Sequence, residues 1–193
     1  MSGGIWSQIA AGDAGAFERM YGASADRVHG FAFRRTGSWD LADEITSQVF
    51  LEAWRRRAEV DLQPDDVILP WLLGVAANLM RNAGRKEQRY QAFLSTQGPQ
   101  PSVPDFADDV AGQVDSRREL DLLRLALDHL GDDDRDLLLL CVAEGLTPGE
   151  VATALAMPAG TVRSRLSRAR ARLRQLLEEL DRDDRADSTE GGA

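Results

Sequence analysis

The sequence has one cysteine, Cys141, and two histidines among its 193 residues. A single cysteine excludes an internal disulfide, and the apolar neighbours in LLLLCVAEGL favour a buried thiol over a reactive one. The sequence shows no cluster of metal ligands, no nucleophile paired with a base and no glycine-rich phosphate loop. It therefore predicts a protein that is not an enzyme and that needs no metal or cofactor.

Long apolar runs are also missing. No stretch reaches the roughly 18–20 apolar residues that span a bilayer. The N-terminal segment MSGGIWSQIAAGD lacks the basic-then-apolar pattern of a signal peptide. These absences predict a cytoplasmic chain without membrane insertion.

Lysine is nearly absent, since Lys86 accompanies 22 arginines. The net charge is −9, but acids gather at 132–136 and 178–190, whereas arginines gather at 81–89 and 163–174. The planar guanidinium group suits phosphate and guanine. An acidic chain with this segregation can present local basic faces to nucleic acid.

Strand-like alternation is absent, and apolar residues recur at helical spacing almost throughout. Proline, glycine, serine and aspartate concentrate within residues 95–115, which predicts a flexible linker. This linker separates a predicted domain over residues 1–94 from one over residues 116–180, and a disordered acidic tail is predicted over 181–193. The predicted fold class is all-α, with two small helical domains.

Three helices are predicted before the linker. Asp13 caps the first, which runs to about Arg35, and Gly37 ends it. Ser38 caps the second, which runs to about residue 57, and the third begins near Pro70. After the linker, helices are predicted over about 116–129 and 132–144.

A helix-turn-helix is predicted next. Thr147 and Glu150 form a capping box around Pro148. The short helix ends near Ala156, and Pro158 opens the last helix. One arc of the last helix is apolar and predicts its buried stripe: Val162, Leu166, Ala169, Leu173, Leu176 and Leu177.

The opposite face of the last helix suits a DNA major groove. Its centre carries only small or polar side chains, and six arginines flank that centre on both sides. The helix can therefore enter the groove while its guanidinium groups reach the phosphates. The alternative is a solvated arginine-rich helix with a coiled-coil stripe.

A second basic face is predicted on the third helix. Its core stripe is Leu72, Val75, Ala76 and Leu79. The adjoining arc holds two amides and three guanidinium groups: Asn78, Arg81, Asn82, Arg85 and Arg89. Amides can read bases and arginines can hold phosphates, with Trp71 at the N-terminal end as a core residue or a stacking platform. The alternative is a solubilising face.

The second helix has a mixed outer face. It is predicted to bury Leu41, Ala42, Ile45 and Val49. Its other side sets Leu51 and Trp54 among acidic and polar residues, which indicates a protein partner. The alternative is that Trp54 folds back onto the core.

Three segments in order, LADEITSQVFLEAW, PWLLGVAANLMRN and GLTPGEVATALAMPAGTVRSRLSRARARLR, resemble the sigma-70 family, specifically its extracytoplasmic-function group. The resemblance covers about residues 16–177. It implies a bacterial RNA polymerase specificity subunit that directs promoter-specific transcription initiation by recognising −35 and −10 DNA elements and aiding DNA melting. The implied partners are core RNA polymerase, through the clamp region of its largest subunit and its flap region, promoter DNA and an anti-sigma factor.

The resemblance also implies three groups of site residues. Those implied to bind polymerase are Asp43, Glu44, Gln48, Leu51 and Trp54. Those implied to read the −10 element are Trp71, Asn78, Arg81, Asn82, Arg85 and Arg89. Those implied to read the −35 element are Thr161, Arg163, Ser164, Arg165, Ser167, Arg168, Ala171 and Arg172.

The sequence departs from the family pattern at three places. Ser47-Gln48 stands where the family usually has Gln-Glu, and the lost carboxylate is expected to weaken or retune the polymerase contact. Ala156 stands where a glycine is usual. The loop 59–69, which corresponds to the segment that captures a flipped base, is acidic and lacks an aromatic residue.

Two other functions stay open from the sequence. One is a stand-alone helix-turn-helix regulator that binds a palindrome as a dimer. The other is a sigma-like decoy or adaptor that binds polymerase without opening DNA.

Overall fold

A computed structural model of the chain describes residues 4–62, 67–95 and 114–190, without the side chains of residues 86–95, 114–119 and 183–190. Every regular element within these ranges is helical, which confirms the all-α class. The predicted linker, residues 95–115, lies mostly outside the described residues. None of the described helices is both long and apolar enough to cross a bilayer.

The described helices fall before and after this gap. The N-terminal block contains α1 (Ile5–Ala10), α2 (Ala14–Thr36), α3 (Trp39–Arg56) and α4 (Ile68–Ser95). The C-terminal block contains α5 (Val114–Asp128), α6 (Asp132–Leu138), α7 (Pro148–Ala154) and α8 (Ala159–Glu190). A π-helical turn, Leu139–Ala143, continues α6.

The caps of α2 and α3 follow the sequence prediction. The carboxylate of Asp13 accepts a hydrogen bond from the Ala16 amide at 3.0 Å, and the hydroxyl of Ser38 accepts one from the Leu41 amide at 3.3 Å. Gly37 ends α2 with φ of 70°, a left-handed conformation that glycine adopts without steric cost. These local hydrogen bonds explain why both helix boundaries could be predicted.

Helix α1 was not predicted. Its six residues are too few to show a helical period, yet Trp6 and Ile9 are both buried. The indole nitrogen of Trp6 donates to the carbonyl of Val60 at 2.7 Å, so α1 holds the loop that follows α3.

The prediction that Leu41 is buried is wrong, because 40% of this residue is exposed. Ala42, Ile45 and Val49 are buried as predicted. Helix α3 also buries Phe50 and two smaller residues, which moves the centre of the buried arc away from Leu41.

The helix-turn-helix forms as predicted. Thr147 and Glu150 make both hydrogen bonds of the capping box, at 3.3 and 2.7 Å. Helix α7 ends before Ala156, which has a φ of +52°. Helix α8 runs to Glu190, so the backbone is helical where the sequence predicted disorder from residue 181. Extending an existing helix costs little, because each added residue gains one hydrogen bond.

The two blocks pack directly against each other through α4 and α7. Gly74 makes this approach possible, because a Cβ atom placed on it would lie 2.1 Å from the carbonyl oxygen of Ala154. Helix α2 also contacts the π-helical turn. The segments that the sequence assigns to two domains are therefore in contact.

Candidate nucleic-acid interface

Helix α8 presents the face predicted from its sequence. Val162, Leu166, Ala169 and Leu176 are buried, and Leu173 and Leu177 are partly buried against the same core. The opposite side is exposed and carries most of the residues implied to read DNA: Arg163, Ser164, Ser167, Arg168, Ala171 and Arg172. Thr161, at the start of the face, is partly exposed. A row of small side chains bordered by arginines is therefore open to a ligand.

Arg165 differs from the other arginines of this face. Only 25% of its side chain is exposed. Its guanidinium group donates two hydrogen bonds to Asp134, at 2.8 and 3.0 Å, and one to Asp133, at 3.2 Å. In this conformation Arg165 is occupied by carboxylates within its own block.

Helix α4 presents the second predicted face. Asn78, Asn82 and Arg85 are exposed, whereas Arg81 is only partly exposed. Arg81 donates to the side chain of Asn78 at 2.5 Å, and Arg85 donates to that of Asn82 at 2.7 Å. The side chain of Arg89 lies outside the described residues.

Trp71 is partly buried at the start of the α4 face. Its ring packs edge-on against Trp6, with centroids 5.6 Å apart, and the guanidinium carbon of Arg56 lies 5.9 Å from the Trp71 centroid. Packing against α1 gives Trp71 a core contact, while part of its surface stays exposed.

Helix α3 has the exposed face predicted to bind a protein. Asp43, Glu44, Gln48 and Leu51 are exposed, and Gln48 donates to Glu44 at 2.8 Å. Trp54 is partly buried; its ring meets Phe17 edge-on at 5.1 Å, and Arg57 lies over it at 4.2 Å. An apolar strip thus runs beside a short acidic and amide row.

The acidic start of α6, residues 132–136, connects the two basic faces, and little in the sequence predicted this. Asp133 accepts a hydrogen bond from Arg81 of α4 at 2.9 Å through one oxygen and from Arg165 of α8 at 3.2 Å through the other. A groove between the faces is lined by Arg81, Arg85, residues 131–134 and Arg165. One carboxylate therefore touches an arginine from each predicted DNA-reading helix.

Asp136 anchors the same cluster from inside. Its carboxylate is fully buried and accepts from the Nε of Arg35 at 2.7 Å, and the Nε of Arg81 lies 3.8 Å from its other oxygen. Burial raises the pKa of Asp136, although Arg35 and Arg81 oppose the shift. Arg35 also donates to Asp132 at 2.6 Å.

Glu144 forms a second junction between the blocks. Its side chain is nearly buried and pairs with Arg27, at 3.3 Å, and with Arg34. Four arginines of the N-terminal block thus meet carboxylates of the C-terminal block: Arg27, Arg34, Arg35 and Arg81. One sequence feature could have indicated these ion pairs between the blocks. Asp132 and Asp136 are four residues apart, which places two acids on one side of a helix beside an apolar run.

The acidic loop 59–69 is described in part. Leu62 is buried in the core, and the carbonyl of Val60 accepts a hydrogen bond from Trp6. Residues 63–66 lie outside the described residues. Cys141 is partly buried, and burial raises the pKa of its thiol. Within the described residues, no group of three or more histidine, cysteine or carboxylate side chains is placed to hold a metal ion.

Comparison with known protein families finds one match in the N-terminal block and one in the C-terminal block. The family model described as sigma-70 region 2 matches residues 20–90, and that described as sigma-70, region 4 matches residues 120–173. These ranges take in α3, α6, α7 and parts of α2, α4, α5 and α8, and they include all three faces described above.

Curated relatives match along most of their length. The RNA polymerase sigma factor CarQ of Myxococcus xanthus is 32% identical over 86% of this chain and 91% of its own. The extracytoplasmic-function (ECF) sigma factor SigK of Mycolicibacterium vanbaalenii is 32% identical over 88% of this chain and 86% of its own. ECF sigma factor EcfG of Rhodopseudomonas palustris is 30% identical over 80% and 81%.

Solved structures share the fold. The sigma factor RpoE of Bartonella quintana, crystallised with the anti-sigma factor NepR, superposes with a TM-score of 0.66 at 23% identity, over 84% of this chain and 96% of that one. CnrH, in complex with the cytosolic domain of CnrY, gives 0.66 at 23% identity over 91% and 96%. Together with the family models and the curated relatives, these findings confirm the resemblance drawn from the three motif segments. The chain belongs to the sigma-70 family and, within it, to the extracytoplasmic-function group of RNA polymerase sigma factors.

Proposed function

We propose that this chain binds core RNA polymerase and directs it to promoters by reading −35 and −10 elements and aiding DNA melting. Helix α8 would read the −35 element and α4 the −10 element. The exposed face of α3 would bind the polymerase clamp, and the C-terminal block would contact the flap region. Residues 1–94 and 116–180 would act as separate domains joined by 95–115.

The exposed face of α8 is the observation that carries this proposal. It is the second helix of a capped helix-turn-helix, its apolar stripe is buried, and exposed arginines border its small side chains. Small side chains allow a helix to approach base edges, and arginines on both borders match the two phosphate walls of a major groove.

The faces of α3 and α4 support the remaining roles. On α4, Asn78 and Asn82 are exposed amides beside guanidinium groups. This arrangement suits the binding of bases that have been drawn out of the DNA duplex. On α3, exposed Leu51 adjoins acids and Gln48, which suits a protein partner. The chain would act in the cytoplasm without chemistry of its own, through binding energy alone.

An anti-sigma factor is a further proposed partner. The sigma factor RpoE of Bartonella quintana, which shares the fold, was crystallised with such an inhibitor. A copurification of the tagged chain from its native cells, followed by mass spectrometry, would recover a stoichiometric inhibitor if one exists.

Run-off transcription tests the proposed function. The purified chain is mixed with sigma-free core polymerase and a genomic promoter library, and the 5′ ends of the transcripts are sequenced. Starts preceded by a shared two-part motif would support a specificity subunit and supply the motif.

Other outcomes would replace the proposal. Tight polymerase binding without starts would indicate a decoy or adaptor. Salt-sensitive DNA binding without polymerase binding would indicate a stand-alone regulator. A matched variant, Arg163→Ala with Arg168→Ala, should lose starts that depend on the upstream half of the motif.

A further inference from the structure

The acidic start of α6 lies between the two helices that are proposed to read DNA. Asp133 bridges Arg81 and Arg165, with bonds of 2.9 and 3.2 Å, and Asp134 adds two bonds to Arg165. A carboxylate, like a phosphate, can accept paired hydrogen bonds from a guanidinium group. The start of α6 thus occupies one arginine of each of these helices.

We propose that residues 132–136 form an intramolecular latch, which holds α4 and α8 together in the free chain and must release before promoter DNA is bound. This inference rests on the proposed function, because it takes α4 and α8 as the DNA-reading helices.

Distance makes the closed arrangement incompatible with promoter reading. Elements at −35 and −10 lie about 25 base pairs apart, which is roughly 85 Å along the duplex at ~3.4 Å per base pair. Arg81 and Arg165 here share a single carboxylate. Helices this close cannot read both elements at once, so the blocks must separate for the proposed activity.

The rest of the contact between the blocks has the character of a latch. Arg35 pairs with Asp132 and Asp136, and Arg27 and Arg34 pair with Glu144. Arg27, Arg34 and Asp132 are about half exposed, so anions from solvent can reach them. Asp136 and Glu144 are buried, so salt screens their pairs less. Helices α4 and α7 can pack this closely because Gly74 has no side chain, so a side chain at this position would oppose contact between the blocks.

A charge variant tests the latch in the full-length free chain. Asp133→Asn with Asp134→Asn removes the bridge and keeps side chains that are tolerated at a helix start. Binding to a labelled promoter duplex is followed by fluorescence anisotropy at low salt. We expect about tenfold tighter binding than wild type, because Arg165 becomes available to phosphates and Arg81 keeps only its contacts with Asn78 and Asp136.

The matched control is Asp121→Asn with Glu178→Gln. This pair removes the same charge from exposed carboxylates of α5 and α8 in the same block, outside residues 132–136. An equal gain in both double variants would mean a general charge effect and would overturn the latch. A gain confined to Asp133 and Asp134 supports it.

A steric variant tests the latch without a charge change. Gly74→Ala places a methyl group against the Ala154 carbonyl, whereas Gly22→Ala adds one where nothing lies within 4 Å. We expect Gly74→Ala, and not Gly22→Ala, to tighten DNA binding of the free chain. Circular dichroism verifies that each variant is folded, and Gly74→Ala decides the question if the charge variant unfolds.

Run-off transcription with the same preparations separates the two proposals. Normal starts with wild type, together with no gain from either the charge variant or Gly74→Ala, would overturn the latch and leave the sigma function standing. A gain in duplex affinity without any starts would support a latch over DNA binding and overturn the proposed function.

Discussion

Ala156 stands at the turn of the helix-turn-helix with a φ of +52°, the one positive φ among the described residues other than glycine. A Cβ atom makes this conformation unfavourable by roughly 1–2 kcal/mol. Helices commonly end on a left-handed glycine for this reason. The departure from the family pattern at this residue therefore has a direct structural cost.

We expect Ala156→Gly to stabilise the chain by about 1 kcal/mol, since relief of strain exceeds the added freedom of the unfolded chain. Urea unfolding followed by circular dichroism measures the change. Ala152→Gly, inside α7, provides a control of opposite sign and should cost about 1 kcal/mol. An Ala156→Gly variant that is less stable than wild type would contradict the expected strain.

Asp133 predicts a pH dependence. The hydrogen bond from Arg81 lowers the pKa of Asp133 below its ordinary 3.8 against the effect of partial burial, and Arg165 lowers it further. A carboxylate with a depressed pKa stabilises the folded chain above its unfolded pKa, and that contribution is lost as pH falls through the folded pKa.

We therefore expect Asp133→Asn to unfold at lower urea concentration than wild type at pH 7, and this difference to shrink as the pH falls below about 4 and through the lowered pKa of Asp133. Burial raises the pKa of Asp136, so the contribution of Asp136 to stability changes with pH in the opposite direction. Asp136 is present in both chains and does not affect the comparison. Asp121→Asn controls for the loss of a surface carboxylate. A gap that persists unchanged at pH 3 would exclude a stabilising ionised Asp133.

At the scale of the element, α8 divides its roles between two sides. The buried stripe attaches the helix to the C-terminal block, and the exposed side is proposed to hold DNA. Substitutions on the two sides should therefore affect different measurements.

We expect Arg168→Ala to leave stability within about 0.5 kcal/mol of wild type. The same change should weaken promoter binding by the polymerase complex several-fold and reduce the salt slope by about 1. Filter binding over a salt series provides both values. Arg182→Ala, on the same helix beyond the proposed face, is the control; equal losses in the two variants would argue against a localised DNA face.

At the scale of the molecule, segment 181–193 contributes five carboxylates against two arginines. Because α8 is helical to Glu190, Asp183 lies about 16 Å along the axis from Arg172 at ~1.5 Å per residue. This exceeds the Debye length of about 10 Å at 0.1 M salt. We therefore expect the acidic segment to repel DNA mainly at low salt.

Deletion of residues 181–193 should tighten DNA binding by the free chain about two- to threefold at 0.02 M salt and have little effect at 0.2 M. Anisotropy titrations at both salt concentrations test this. A chain that keeps the segment with its five acids changed to amides should behave like the deletion. Unchanged affinity in both variants would remove any role for the acidic segment.

Helix boundaries that depend on adjacent residues could be predicted from sequence. Asp13, Ser38 and Thr147 cap helices through hydrogen bonds to amides three residues away, and Gly37 ends one through its own backbone. The stripe of α8 followed from its period. The exposure of Leu41 and the burial of α1 could not be predicted in the same way, because both depend on which neighbouring helix covers the residue.

The sequence by itself determined the helical class, the helix-turn-helix and the composition of the three faces, because caps, periods and charge segregation are local properties. Only the tertiary structure decided that α4 and α7 are in contact, that Gly74 permits it, and that Asp133 joins Arg81 to Arg165. Asp133 is 52 residues from Arg81 and 32 residues from Arg165 in the sequence. No local pattern specifies which arginine a carboxylate meets over such separations, since that choice depends on how the helices pack.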